Sequence, residues 1–170
     1  MNGGSSGEVG TLRWSTLVQG AIEGTPLIGS DGTKIYVIHN TRDWAHITVL
    51  ESTTGIIISE TVDVRPMVKY GPASLVTIHG VDHLYWADAH DMGYASGGRM
   101  YTMKSTDFTA VHSPQSFPSS TTVTPTLSKN AKLVWLGGRA ATVHAWGENS
   151  THPIWSTQLN RSLRNASYRK

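Results

Sequence analysis

Hydrophobic positions occur in short runs broken by turn residues, and the runs fall into three similar passes. In the first, "TKIYVIHN" is short and rich in β-formers and "HITVLES" alternates. "TTGIIISE" carries three consecutive Ile, the pattern of a strand buried on both faces. "SDG" before the first run is a turn signal, and "TRDW" separates the first two. The middle pass reads "ASLVTIHG", a turn at Gly-Val-Asp, "HLYWADA", the loop "HDMGYASGG", "RMYTMKS" and "FTAVHS". The third reads "TVTPTLS", the turn "KNA", "KLVWLGG", "ATVHAWG" and "HPIWSTQL". No segment keeps a helical period, so the chain is all-β, and short strands at this spacing fit a sandwich, a barrel or a propeller.

An internal repeat chooses among these. "RWSTLVQ" near the start and "IWSTQLN" near the end share Trp-Ser-Thr, with Trp14 and Trp155 standing 141 residues apart, a distance that three equal parts of 47 fill. Thr25-Pro26-Leu27, the "SDG" turn and Lys34-Ile35-Tyr36 overlie Thr124-Pro125-Thr126-Leu127, the "KNA" turn and Lys132-Leu133-Val134-Trp135. "GPASLVTIHGVDHLYWA" is the middle member, with a few residues inserted. Pro at a strand start is tolerated because its missing N–H costs little there. Four strands in about 47 residues is the size of one propeller blade.

Composition agrees and removes several chemistries. A chain of 170 residues can build a core as one domain, and low hydrophobic (38%) and charged (15%) contents with 17 Gly tilt it toward strands and turns. Net charge is only +2, and Arg161, Arg164, Arg169 and Lys170 concentrate it in "NRSLRNASYRK". That pattern reads as a solvated tail ahead of a nucleic-acid or membrane contact. Without Cys there is no disulfide, thiolate metal site or Cys nucleophile. "MNGGSSGEVG" has neither the basic start nor the apolar run of a signal peptide, and no stretch has the length of a membrane span. Sequons at Asn149, Asn160 and Asn165 matter only in a secretory pathway.

Against this background the repeats resemble the quinoprotein-like propellers built from PQQ-type repeats. Those carry a tryptophan-docking motif, A-x-D-x-x-T-G-x-x-x-W, whose Trp packs between neighbouring blades. "VLESTTGIIIS" matches with Glu51 in the acidic place, Thr54 and Gly55 intact, and Ser59 where Trp is expected. "AWGENSTHPIW" keeps Ala145 and Trp155, "GTLRW" keeps Gly10 and Trp14, and "TMKSTDFTAVH" keeps almost nothing, with His112 in the Trp position. Docking positions then fall at Trp14, Ser59, His112 and Trp155, spaced by 45, 53 and 43 residues. A large aromatic wedged between two sheets buries apolar area in both, and Gly in the Thr-Gly turn accepts positive φ. WD-type propellers match less well, and Gly97-Gly98 and Gly137-Gly138 only weakly resemble the double Gly of Kelch-type blades.

The resemblance implies a β-propeller arc of about three four-stranded antiparallel blades. Residues 1–14 would end a preceding blade. Residues 15–59, 60–112 and 113–155 would form blades 1 to 3, the second degenerate, and 156–170 would start a next blade and its basic tail. Closed propellers have at least four blades, so the expectation is an incomplete ring whose uncovered faces await missing blades or other copies.

The densest set of potential ligands is "HGVDHLYWADAHDMG", where His79, Asp82, His83, Asp88, His90 and Asp91 supply nitrogen and oxygen donors. His83, His90 and Asp88 are its weak metal candidates, but no metal site is read here, because the plain reading leads, in which His79 and His83 are exposed residues flanking a turn. The family's dehydrogenases hold PQQ over an aromatic floor, with Ca²⁺ on carboxylate and amide side chains and an Asp as base. No such set stands out here, and the adjacent-cysteine disulfide many of them use is impossible, so no catalytic or cofactor-binding residue is transferred. No Gly-x-Ser-x-Gly is present, and no helix follows "GGRAAT" to receive a phosphate. Tyr36, Trp44, Tyr85, Trp86, Tyr101, Trp135 and Trp146 could stack sugars or bases, but at strand positions of a repeat they read as packing between blades.

Two functions follow. The first is a non-catalytic propeller segment without a cofactor, a scaffold that meets protein or glycan through rim loops at residues 87–99 and "SPQSFPSSTTVTPT". The second is a piece of a PQQ- and Ca²⁺-dependent alcohol or sugar dehydrogenase whose catalytic blades lie outside this chain. The resemblance points to an extracytoplasmic or secretory setting, which the N-terminal residues do not announce.

Overall fold

The computed structural model describes residues 11–22, 24–41, 45–61, 73–87, 98–111, 115–117, 125–128, 133–137, 142–147 and 152–158. Regular structure among them is entirely β, as three four-stranded antiparallel sheets whose strands pair in chain order. The first contains β1 (Leu27–Ile28), β2 (Lys34–Asn40), β3 (Ala45–Glu51) and β4 (Ile57–Glu60). The second contains β5 (Ser74–Ile78), β6 (Val81–Ala87), β7 (Gly98–Lys104) and β8 (Gln115–Phe117), and the third β9 (Thr126–Leu127), β10 (Leu133–Gly137), β11 (Thr142–Trp146) and β12 (Trp155–Gln158).

Local chemistry sets the turns. Between β1 and β2, Asp31 Oδ1 accepts from the Thr33 amide and hydroxyl at 2.8 Å, which holds its carboxyl below the usual range. Between β5 and β6 the turn is His79-Gly80, both at positive φ (50° and 79°), the two-residue hairpin geometry that matches strand twist. It falls earlier than the Gly-Val-Asp turn expected from sequence. Val81 and Asp82 already belong to β6, and His83 is buried within that strand rather than exposed beside a turn.

Pairing register decides which side chains share a face. Tyr36 opposes Val49, Ile38 opposes Ile47 and Asn40 opposes Ala45, so these residues form one face of the first sheet. Leu75, Leu84 and Met103, with Trp86 and Tyr101, form one face of the second. The two faces meet in the main core, where Ile47 and Leu84 are fully buried and Trp86 stacks on Tyr101 with centroids 5.5 Å apart. Truncating either aliphatic to Ala would cost about 2–5 kcal/mol. On the second sheet's other face Tyr85 and Met100 pack with Trp146 and Leu127 of the third, giving a second core. Each sheet therefore buries a face against the next, which explains why strands of the middle sheet are apolar on both sides.

The three isoleucines depart from the sequence expectation: Ile56, Ile57 and Ile58 are 66%, 45% and 51% exposed. A continuous apolar run does not report which element covers it, and β4 is an edge strand bonded only to β3. A register shift between Val49 and Leu50 bends that pairing, as a bulge does at a sheet edge.

Candidate functional site

The most elaborate polar arrangement lies where residues 11–22 meet the first sheet. Glu51 closes the β3–β4 turn: its carboxylate accepts from the hydroxyls of Thr53 and Thr54 and from the Thr54 amide at 2.8 Å. The Thr53 and Thr54 hydroxyls are the main reason this carboxyl sits below its usual range. Gly55 donates its N–H to the Glu51 carbonyl at 2.8 Å and adopts φ +73°. Ser52 ties the turn to the β1–β2 turn, donating its N–H to Thr33 O at 2.9 Å and its hydroxyl to Gly32 O at 2.7 Å.

Trp14 lies against this turn. Its Nε1–H donates to Ser52 O at 3.1 Å, and two residues on the Thr16 hydroxyl donates to Gly55 O at 2.5 Å. A Cβ at Gly55 would overlap the Trp14 ring and stand 2.8 Å from Thr16 Oγ1, so only Gly satisfies both the backbone and the indole. Thr54 contributes through its bonds to Glu51. The segment then crosses the sheet to its far end, where Ala21 and Asn40 exchange backbone hydrogen bonds of 2.8 Å.

Between those ends a buried histidine, His39, fastens the segment. His39, fully buried, donates Nδ1–H to Gln19 O, and its Nε2 lies 2.8 Å from Thr48 Oγ1 and 3.6 Å from Glu60 Oε1. It stacks on His46 at 5.4 Å, and His46 donates Nδ1–H to Thr61 O at 3.1 Å. Burial is the main force holding the His39 imidazole below the usual histidine range.

The second sheet repeats the turn with different residues. Phe108 donates its N–H to Lys104 O and adopts φ +56°, the place and conformation of Gly55. Its ring is partly buried against the core between the first two sheets. At this junction the turn carries the aromatic, while Ser59 occupies the motif's Trp position in β4. His112 lies outside the described residues.

In the ligand-rich stretch, Asp82 joins the first two sheets. One carboxylate oxygen accepts from the Ser30 amide at 3.0 Å and the other from the Thr77 hydroxyl at 2.8 Å, while its carbonyl accepts from Ser105 at 2.8 Å. His83 is buried and donates Nδ1–H to Val81 O at 2.9 Å. Asp88, His90 and Asp91, the three sequons and the basic tail lie outside the described residues, as does most of both rim loops. Among the described residues no group of three or more His, Cys, Asp or Glu could hold a metal ion. The Ser74 hydroxyl donates to Pro125 O, a polar link between the second and third sheets.

In the third sheet Ala145 is buried opposite Trp155, and Thr157 opposes Val143. Ser156 turns the other way, to His144 Nδ1 at 2.8 Å, and His144 is held below the usual histidine range by burial. Trp146 shares the His144 face and meets the second sheet, so Trp155 and Thr157 lie on the face directed away from it. Trp155 is 47% exposed.

No protein-family model matches the chain, and no curated protein does. Among solved structures it is similar to BamB from Moraxella catarrhalis, with TM-score 0.57 and 14% identity over 88% of this chain and 41% of that one. It also aligns to the Dos1 propeller, with TM-score 0.39 and 9% identity over 80% of this chain and 48% of that one. The chain spans less than half the length of either. Three stacked antiparallel four-stranded sheets and the first of these likenesses define a partial β-propeller.

The Glu51–Gly55 turn was visible in the sequence as Thr-Gly after an acidic residue. Phe108 stands at the Gly position of the degenerate repeat and was open to notice. Asp82 drew notice only as one donor in its stretch and His39 not at all, since their roles depend on contacts 52 and 20 residues away in the chain.

Proposed function

We propose that this chain is a non-catalytic propeller segment of the quinoprotein-like, PQQ-type-repeat kind, acting as a scaffold for protein contacts. In this reading the three sheets are its repeats, so the bounds 15–59, 60–112 and 113–155 expected from sequence shift to take Glu60 into the first, β8 (Gln115–Phe117) into the second and β12 (Trp155–Gln158) into the third, and Trp14, Thr54, Gly55, Ala145 and Trp155 are its docking positions. The observation that supports it best is the grip of Trp14 and Thr16 on the Glu51–Gly55 turn, which is the geometry that a tryptophan-docking repeat requires. The ligand-rich stretch fits the same reading where it is described, because both Asp82 carboxylate oxygens and His83 Nδ1 bond neighbouring backbone and hydroxyl groups. Likeness to BamB is a likeness of fold and carries no activity across.

The contact surface would be the rim, through those residues of 87–99 and 113–126 that lie outside strands β6 to β9, with protein as the partner and glycan the other class to screen. The competing function, a piece of a PQQ-dependent dehydrogenase, gives the test. The chain, together with any flanking residues its gene encodes, is loaded with PQQ and Ca²⁺ and assayed for dye-linked oxidation of alcohols and aldoses. No turnover above free PQQ and no retention of the quinone on gel filtration are expected. Stoichiometric quinone retention with dye reduction would overturn the scaffold reading.

A further inference from the structure

The tripeptide Trp-Ser-Thr occurs in two different states. Trp14-Ser15-Thr16 is docked, its Trp and Thr side chains both meeting the Ser52–Gly55 turn. Trp155-Ser156-Thr157 lies on the edge strand β12, with Trp155 and Thr157 on one face of the third sheet and Ser156 turned to His144. That face points away from the second sheet, and Trp155 and Thr157 are exposed on it. The second tripeptide therefore displays side chains i and i+2 together, the pair by which the first grips its turn.

The acceptor is built on the opposite end of the arc. One face of the first sheet packs on the second sheet, and its other face carries Val37, His39, Thr48 and Leu50, all buried, with residues 11–22 fastened across it. The cover is light: Leu12 and Leu17 are 83% and 93% exposed, and a single Ala21–Asn40 bridge is its β-pairing. One end thus presents a tryptophan wedge, and the other a turn already shaped for the same three residues.

We propose that the Glu51–Gly55 turn is an interaction site for a second copy of this chain, which inserts Trp155-Ser156-Thr157 in exchange for the resident Trp14-Ser15-Thr16. The inference rests on the docking reading above and not on the absence of quinone chemistry. The contact is head-to-tail, so it closes a ring if the rotation permits and otherwise extends. Two copies would bring together six sheets, within the four-to-eight range of closed propellers. Trp155 is the kind of large aromatic that dominates such contacts.

The test is the molar mass of the 170-residue chain by light scattering across concentration, with far-UV circular dichroism on each variant. Mass is expected to rise from 18.5 kDa toward twice that value or beyond. Trp155→Ala should keep it at 18.5 kDa with an unchanged spectrum, since the side chain is half exposed. Trp14→Ala vacates the turn and should lower the midpoint concentration about tenfold. A labelled peptide of residues 153–158 should bind Trp14→Ala more tightly than the parent chain, with a scrambled peptide as control. This keeps the idea testable if Trp155→Ala misfolds. A parent chain and a Trp14→Ala variant that both stay monomeric, association that survives Trp155→Ala, or a peptide that does not bind would each overturn the proposal. Survival after Trp155→Ala would direct attention to the Ile56–Ile58 edge. A dehydrogenase result would leave these outcomes untouched.

Discussion

Gly55→Ala separates a backbone effect from a docking effect within one sheet. At φ +73° an Ala is strained by about 1–2 kcal/mol. Its Cβ would also overlap the Trp14 ring and press on Thr16 Oγ1, and forcing a methyl into a filled site costs about 1–3 kcal/mol more. The sum is about 2–5 kcal/mol. Gly32 is the internal control: it has φ +74°, and a Cβ there meets nothing within 4 Å, so Gly32→Ala should cost the strain alone. In a Trp14→Ala background the excess at Gly55 should shrink by more than half toward the Gly32 value, because the overlapping ring is gone and only Thr16 Oγ1 still meets the Cβ. Urea denaturation followed by far-UV circular dichroism measures all four variants against the parent. Equal losses for Gly55→Ala and Gly32→Ala, or an excess that persists undiminished without Trp14, would refute a docked indole.

Three further outcomes follow. His39 and His144 are both held below the ordinary histidine range, so the unfolded chain binds their protons more readily. Stability from these groups should be fully present above pH about 6.5 and decline as pH falls through it; His39→Asn should flatten that slope in urea titrations at several pH values. Asp82→Ala strands the Ser30 N–H and the Thr77 hydroxyl and should cost about 2–3 kcal/mol by denaturant midpoint, with Asp82→Asn losing about half as much. Ile57→Lys, at a 45% exposed edge position, should change stability by no more than about 0.5 kcal/mol while slowing heat-induced turbidity.

The strand content and the threefold repeat were legible because period-two patterning and turn residues are local. "HITVLES" and the buried β3 show this, as does the Thr-Gly turn that became the Trp14 seat. The packing of Tyr36, Tyr85, Trp86, Tyr101 and Trp146 between sheets was legible too; what was missed depends on which neighbour covers or bonds a residue. Three consecutive isoleucines look the same whether a sheet covers both faces or neither, and here the strand is an edge. His83 looked exposed because the turn was placed at Gly-Val-Asp, whereas two positive-φ residues, His79 and Gly80, close it earlier and draw His83 into the sheet. Asp82 stood in a donor-rich stretch without revealing its role, because carboxylates that fasten two sheets have the same spelling as those that bind ions. Phe108 is the subtler case: its aromatic ring and positive φ place in the turn what Ser59 lacks in the strand.

The docked tryptophan is read most directly by hydrogen exchange of the indole N–H groups in a ¹⁵N-tryptophan-labelled chain, assigned by single Trp→Phe substitutions. At dilution the Trp14 indole, bonded to Ser52 O, should exchange slowly and lose its protection in Gly55→Ala, while the half-exposed Trp155 indole exchanges at the free rate. A Trp14 indole that exchanges as fast as Trp155 would contradict docking, and with it the scaffold and assembly built on that contact.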